Sequence, residues 1–130
     1  HQIGSHSFYH LPLFGLKRRS LLRQIEVTDR LILKYVNRLS NLFRPPYGIF
    51  NPKVFPLLQS TAKRMVLWSI IANDFKWGED RILDRLTTAV QPGDVIVFHD
   101  SPQTEKVLMK VLTEFIEHCN GRGWGFGVVG

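Results

Sequence analysis

The chain has 130 residues, 44% of them hydrophobic, which is enough for one buried core and too few for two ordinary domains. No run of eighteen apolar residues occurs, so the pattern holds no bilayer span, and the single cysteine, Cys119, excludes an internal disulfide and reads as a buried, inert thiol. The formal charge of +6 is concentrated, because between Lys17 and Arg38 seven basic residues stand against Glu26 and Asp29 alone; no nucleic-acid module accompanies them, so a solvated helix face is read there and attraction to an anionic polymer is the lesser alternative.

In chain order, short apolar runs alternate with amphipathic stretches. HQIGSH is a short strand candidate, and Leu21, Ile25, Ile32, Val36 and Leu39 recur at helical spacing from about Ser20 to Leu39. NLFR reads as a strand cut off by Pro45 and Pro46, and NPKVFPLLQSTAK as a shorter helix interrupted by Pro56. RMVLWSI is a strand apolar on consecutive positions, as expected when both faces are covered. Glu79 to Val90 carries Ile82, Leu83, Leu86 and Val90 on one helical face, and PGD turns into the strand VIVF. Thr104 to His118 is the last helix, with Val107, Leu108, Val111, Leu112, Phe115 and Ile116 inward and NGRG ending it; WGFGVVG is a final, glycine-weakened strand. Four or five strands separated by helices predict a parallel sheet with helices packed outside it.

In such architectures function gathers at the carboxyl edges of the strands. His6, Ser7 and His10 follow the first strand, Arg44 and Tyr47 the second, Asn73 and Asp74 the third, His99 and Asp100 the fourth, and all four groups are expected on one rim. Imidazoles four residues apart can point the same way over one turn of chain, and two of them with a carboxylate make a metal site that keeps a place for water. Core or capping histidines and a cloning scar are the alternatives, the scar disfavoured by the unbroken SFYHLPLF. Arg44 suits a bidentate carboxylate, and the prolines of FRPPYG stiffen a turn whose Tyr47 and Gly48 amides can point at an oxyanion, unless Arg44 is a surface residue before a rigid loop. His99 is placed for general acid or base work, or is a half-buried histidine tied to Asp100, while Asp74 either orients such a histidine or caps the segment after Phe75.

Taken together these motifs resemble the polysaccharide deacetylases, the carbohydrate esterase family 4 enzymes with a NodB-homology domain, across essentially the whole chain and in the family's order. The resemblance implies an α/β fold of incomplete, distorted parallel (β/α) barrel type, with residues 1–130 the C-terminal portion of the domain. It implies His6 and His10 as metal ligands with Ser7 bracing their loop, for zinc, or cobalt or nickel in its place. Arg44 then holds the catalytic base, the Tyr47 amide cradles the acetate oxygen, Asp74 is the second acid of a D-x-x-D-W motif, His99 is the general acid, and Val97 lines the acetyl methyl pocket. Ile71 stands where the family has the first acid and Phe75 where it has tryptophan, which alters the substrate groove. The family's opening strand ends in two aspartates, the base and the third metal ligand, and that motif is expected upstream of residue 1. The implied activity is metal-dependent removal of acetyl groups from N-acetylated sugar polymers such as peptidoglycan or chitin, or from O-acetyl xylan, in an extracytoplasmic setting; the alternative is an inactive carbohydrate-binding or structural remnant. Without its first strand the sheet also offers an edge for pairing with another chain.

Overall fold

The computed structural model describes residues 1–129, and these form two compact units, residues 1–67 with 128–129 and residues 68–127. In the first, α1 (Arg18–Val36) starts at Lys17 without a side-chain cap and with two arginines in its first turn. Local capping therefore contributes little to α1, and burial of Leu21, Gln24, Ile25 and Ile32 holds it instead. Asn37 ends it in the left-handed region, its N–H bonded to Leu33 O at 2.9 Å, so Leu39 lies past the helix and is exposed. β1 (Leu42–Phe43) pairs in parallel with β2 (Arg64–Met65), and α2 (Val54–Ser60) lies between them in sequence. Pro56 is only the third residue of α2, where an N–H has no intrahelical partner to lose, so the expected interruption does not occur. The predicted first strand reduces to a parallel bridge from Ser5 to Phe43, made by Ser5 N–H to Leu42 O at 2.8 Å and Arg44 N–H to Ser5 O at 2.9 Å. Phe43 is packed with Leu13, Leu21, Ile25, Val54, Leu57 and Leu58. Beside them the buried Lys63 ammonium is neutralised by Asp29 at 2.8 Å and donates to Ser40 O at 2.6 Å.

In the second unit β3 (Ile70–Ile71) pairs in parallel with β4 (Ile96–Val97), with α3 (Glu79–Ala89) between them in sequence and α4 (Glu105–Gly121) after them. Ile70, Ala72, Ile82, Leu86, Val90, Val111, Phe115 and Cys119 form its core, and burial there raises the Cys119 thiol pKa, the state expected of an inert thiol.

Four further expectations change. RMVLWSI is not one strand: β2 and β3 belong to different sheets, and Leu67 between them is exposed rather than covered. α4 runs beyond His118 to Gly121, and Ile116 lies on its exposed side. Residues 124–129 form no strand; Gly125 and Gly127 weaken the segment, and Phe126 and Val128 are exposed. Among the described residues the strands make two parallel pairs, not one sheet of four or five.

Candidate functional site

The first unit brings His6, His10, Arg44 and Tyr47 together. The bridge at Ser5 sets His6 alongside Arg44, and the His6 Nδ1–H donates to the Arg44 carbonyl at 2.8 Å. A carbonyl only accepts, so the proton sits on Nδ1 and the lone pair on Nε2. That Nε2 lies 3.1 Å from Nε2 of His10, with the two rings edge to face at 4.8 Å. The two rings meet over one turn of chain, as the spacing suggested, and that turn is not helical. Ser7 (φ 62°) and His10 (φ 53°) are both left-handed, which reverses the chain tightly enough for the rings to meet. Ser7 Oγ accepts the His10 N–H at 3.1 Å, and Oε1 of the buried Gln24 accepts the N–H groups of Phe8 and Tyr9 at 3.0 and 2.8 Å.

Tyr47 is a third left-handed residue (φ 57°), and its ring edge packs on His10 with centroids 4.7 Å apart. The Gly48 N–H is not available to an oxyanion: it donates to Pro45 O at 3.1 Å inside the turn Pro46–Gly48. Arg44 sends Nε to Val66 O at 3.3 Å and Nη2 to Leu67 O at 3.4 Å, and partial burial lowers its pKa while the guanidinium stays charged.

The second unit brings Asp74, Phe75 and His99 together. The Asp74 carboxylate is fully buried and accepts two bonds from one residue, the His99 backbone N–H at 2.5 Å and its Nδ1–H at 2.7 Å. The imidazole itself is 43% exposed and packs edge-on against Phe75 at 5.0 Å. The tie therefore runs to Asp74 and not to the exposed Asp100, and Asp74 orients the ring rather than capping the next segment. Asn73 supplies the left-handed turn (φ 58°) before it, and its carbonyl accepts the N–H groups of Lys76 and Trp77. Val97 is buried in β4 opposite Ile71, with its carbonyl bonded to the Ala72 N–H at 2.9 Å.

Three positioning groups escaped the sequence reading: Ser5, Gln24, and Thr104, whose buried hydroxyl donates to His99 O. Gln24 left a trace, a polar residue inside the Leu21, Ile25 and Ile32 stripe, where burial without a partner would be costly.

The two imidazoles suit a cation. Nitrogens each about 2.0–2.1 Å from one metal at a tetrahedral angle lie about 3.3 Å apart, close to the pair's separation. Among the described residues no third His, Cys, Asp or Glu joins them into a metal-holding group.

Over 99% of its length the chain superposes on the family 4 carbohydrate esterase of Streptomyces lividans, in complex with acetate, with a TM-score of 0.90 at 22% identity, covering 66% of that protein. Its fold is thus that of a family 4 carbohydrate esterase. A pseudoenzyme of that family from Bacillus anthracis is also similar, with a TM-score of 0.77 at 25% identity over 88% of this chain and 41% of that one. The polysaccharide deacetylase family model matches residues 1–66, and the chain belongs to the polysaccharide deacetylase family. It is 26% identical to the peptidoglycan-N-acetylglucosamine deacetylase of Bacillus cereus over 99% of this chain and 62% of that protein, and it spans less than two thirds of the length of the curated relatives it matches.

Proposed function

We propose that these 130 residues are part of a polysaccharide deacetylase domain of distorted (β/α) barrel type that hydrolyses acetamido groups on an N-acetylated sugar polymer outside the cytoplasm. The observation that carries this is the His6–His10 pair, with Nε2 atoms 3.1 Å apart and the His6 tautomer set by the Arg44 carbonyl. His6 and His10 would hold a divalent metal, zinc by donor type with cobalt or nickel as alternatives, completed by a carboxylate from outside these residues. Such a metal supplies a Lewis acid that polarises the acetyl carbonyl and lowers the pKa of water.

The chain's own residues do the rest. Arg44 keeps the catalytic carboxylate oriented and ionised. The Tyr47 backbone amide helps hold the oxygen on which charge develops, a contribution of about 3 kcal/mol for a typical donor. His99, held by Asp74, delivers a proton from Nε2 to the departing amine nitrogen, which leaves as the free amino sugar while acetate is released. Val97 lines the methyl pocket, and Phe75 offers an exposed ring to the sugar in the tryptophan position.

The test is acetate release from N-acetylglucosamine oligomers by the full-length protein, with and without a chelator. Release is expected, abolished by chelation, restored by zinc, and reduced about 100-fold or more in His99→Ala. An unmodified oligomer in every condition would overturn the reading. Binding to the oligomer without turnover would favour the inactive, carbohydrate-binding alternative, which the similarity to a pseudoenzyme supports.

A further inference from the structure

We infer that Gln24, on the buried face of α1, positions the metal-holding loop and so sets the separation of His6 and His10. The inference rests on the reading of these histidines as metal ligands and goes beyond it by assigning the group that fixes them. Gln24 is 7% exposed on the buried face of α1, sixteen residues from the N–H it bonds on Phe8 and fifteen from that on Tyr9. Those two amides belong to the residues midway between the ligands, flanked by left-handed Ser7 and His10. Two non-glycine residues with positive φ in four positions are strained, and such a conformation persists only where the surroundings over-determine it. Ser7 Oγ closes the loop from inside at 3.1 Å, and the Arg44 carbonyl and the Tyr47 ring hold the imidazoles at its two ends, but these grip the ends of the loop and not its middle. The Gln24 oxygen, accepting 3.0 and 2.8 Å bonds from outside the loop, ties it to a helix anchored by Leu21 and Ile25 in the core. One acceptor shared by adjacent N–H groups fixes both the height and the tilt of the peptide between them. A ligand pair must be held within about 0.5 Å to bind well, and supports of this kind, one step removed from the metal, typically carry a tenfold to hundredfold effect on affinity.

The experiment is calorimetric titration of zinc chloride into the full chain and into Gln24→Met, Gln24→Asn and Gln24→Glu, at a temperature where circular dichroism shows each folded. Met keeps the length and removes the acceptor, Asn keeps the amide and shortens its reach, and Glu keeps an acceptor at the original distance. Zinc affinity is expected to fall by about tenfold to a hundredfold in the Met and Asn variants and to be retained with Glu. A purely structural role would lower the melting temperature of Met and Asn but leave the affinity of the folded protein unchanged, and that result overturns the inference. If Met fails to fold, Asn against Glu decides in the same way. If the parent binds no zinc, or if His6→Ala binds it equally well, the ligand assignment itself fails, an outcome separate from loss of the Gln24 effect alone.

Discussion

At the scale of single residues, the sequence offered candidate side chains and left the partner of each open between alternatives. His99 was read as tied either to its neighbour Asp100 or to an orienting Asp74, and the structure gives it to Asp74, twenty-five positions away. The reason is register. Parallel pairing of Ile71 with Val97 carries the chain to Asp74 three residues beyond one strand and to His99 two residues beyond the other. Local spacing leaves both alternatives open, and only the pairing of strands so far apart in sequence decides between them. With its side chain wholly buried and both oxygens used, Asp74 cannot be removed without stranding the His99 N–H. Leaving a buried donor unsatisfied costs about 1–3 kcal/mol, so Asp74→Ala should lower the unfolding free energy by about 2 kcal/mol in urea titrations. Asp74→Asn should fall short of that, since its carbonyl oxygen still accepts one of the two bonds. Equal losses in the two variants would mean that the hydrogen bonds matter less than the shape of the side chain.

Among elements, helices were legible, and so were the places of β1 within NLFR and β4 within VIVF, but the extent and partner of each strand were not. A helix of seventeen residues repeats its apolar signal several times, whereas each strand here is two residues long and its limits depend on a partner. Hence RMVLWSI, apolar at four consecutive positions, could not announce that it serves two sheets. The end of α4 shows how fine the local coding becomes. Gly123 sits at φ 72°, its N–H bonds Asn120 O at 2.9 Å, and the Trp124 N–H reaches back to Cys119 O at 3.0 Å while Trp124 packs against the core. This is the glycine-closed helix end that satisfies the last carbonyls. Gly121, two residues earlier, is still helical, and a Cβ there meets nothing within 4 Å. Alanine should therefore act with opposite sign at the two sites: about 0.5 kcal/mol stabilising at Gly121, from reduced unfolded-state entropy and better helix propensity, and about 1 kcal/mol destabilising at Gly123, from the left-handed backbone. Melting temperatures of Gly121→Ala and Gly123→Ala give the signs directly, and a shift in the same direction for both would contradict the end geometry.

For the molecule as a whole, composition indicated one core, and the structure has two clusters, around Phe43 and around Phe115. Counting apolar residues measures how much can be buried, not which residues become neighbours. Net charge was the more transferable reading, because electrostatic repulsion depends on where charges lie along the chain as well as on contacts. The excess of +6 is concentrated on and beside α1, whose first turn contains no acid and whose basic residues there are exposed. Arg18 and Arg19 thus oppose both the positive end of the helix dipole and the neighbouring cations, although Lys34 in the last turn suits its end. Replacing Arg19 with glutamate reverses the first contribution and relieves the second, and should raise stability by about 0.5 kcal/mol at low salt. Raising ionic strength to about 1 M contracts the screening length to about 3 Å, so the parent should gain stability with added salt while the advantage of Arg19→Glu shrinks toward zero. Thermal melts of both proteins along a sodium chloride series test this. A gain that persists unchanged at high salt would have to come from packing or helix propensity, and the concentration of charge on α1 would then not be a determinant of stability.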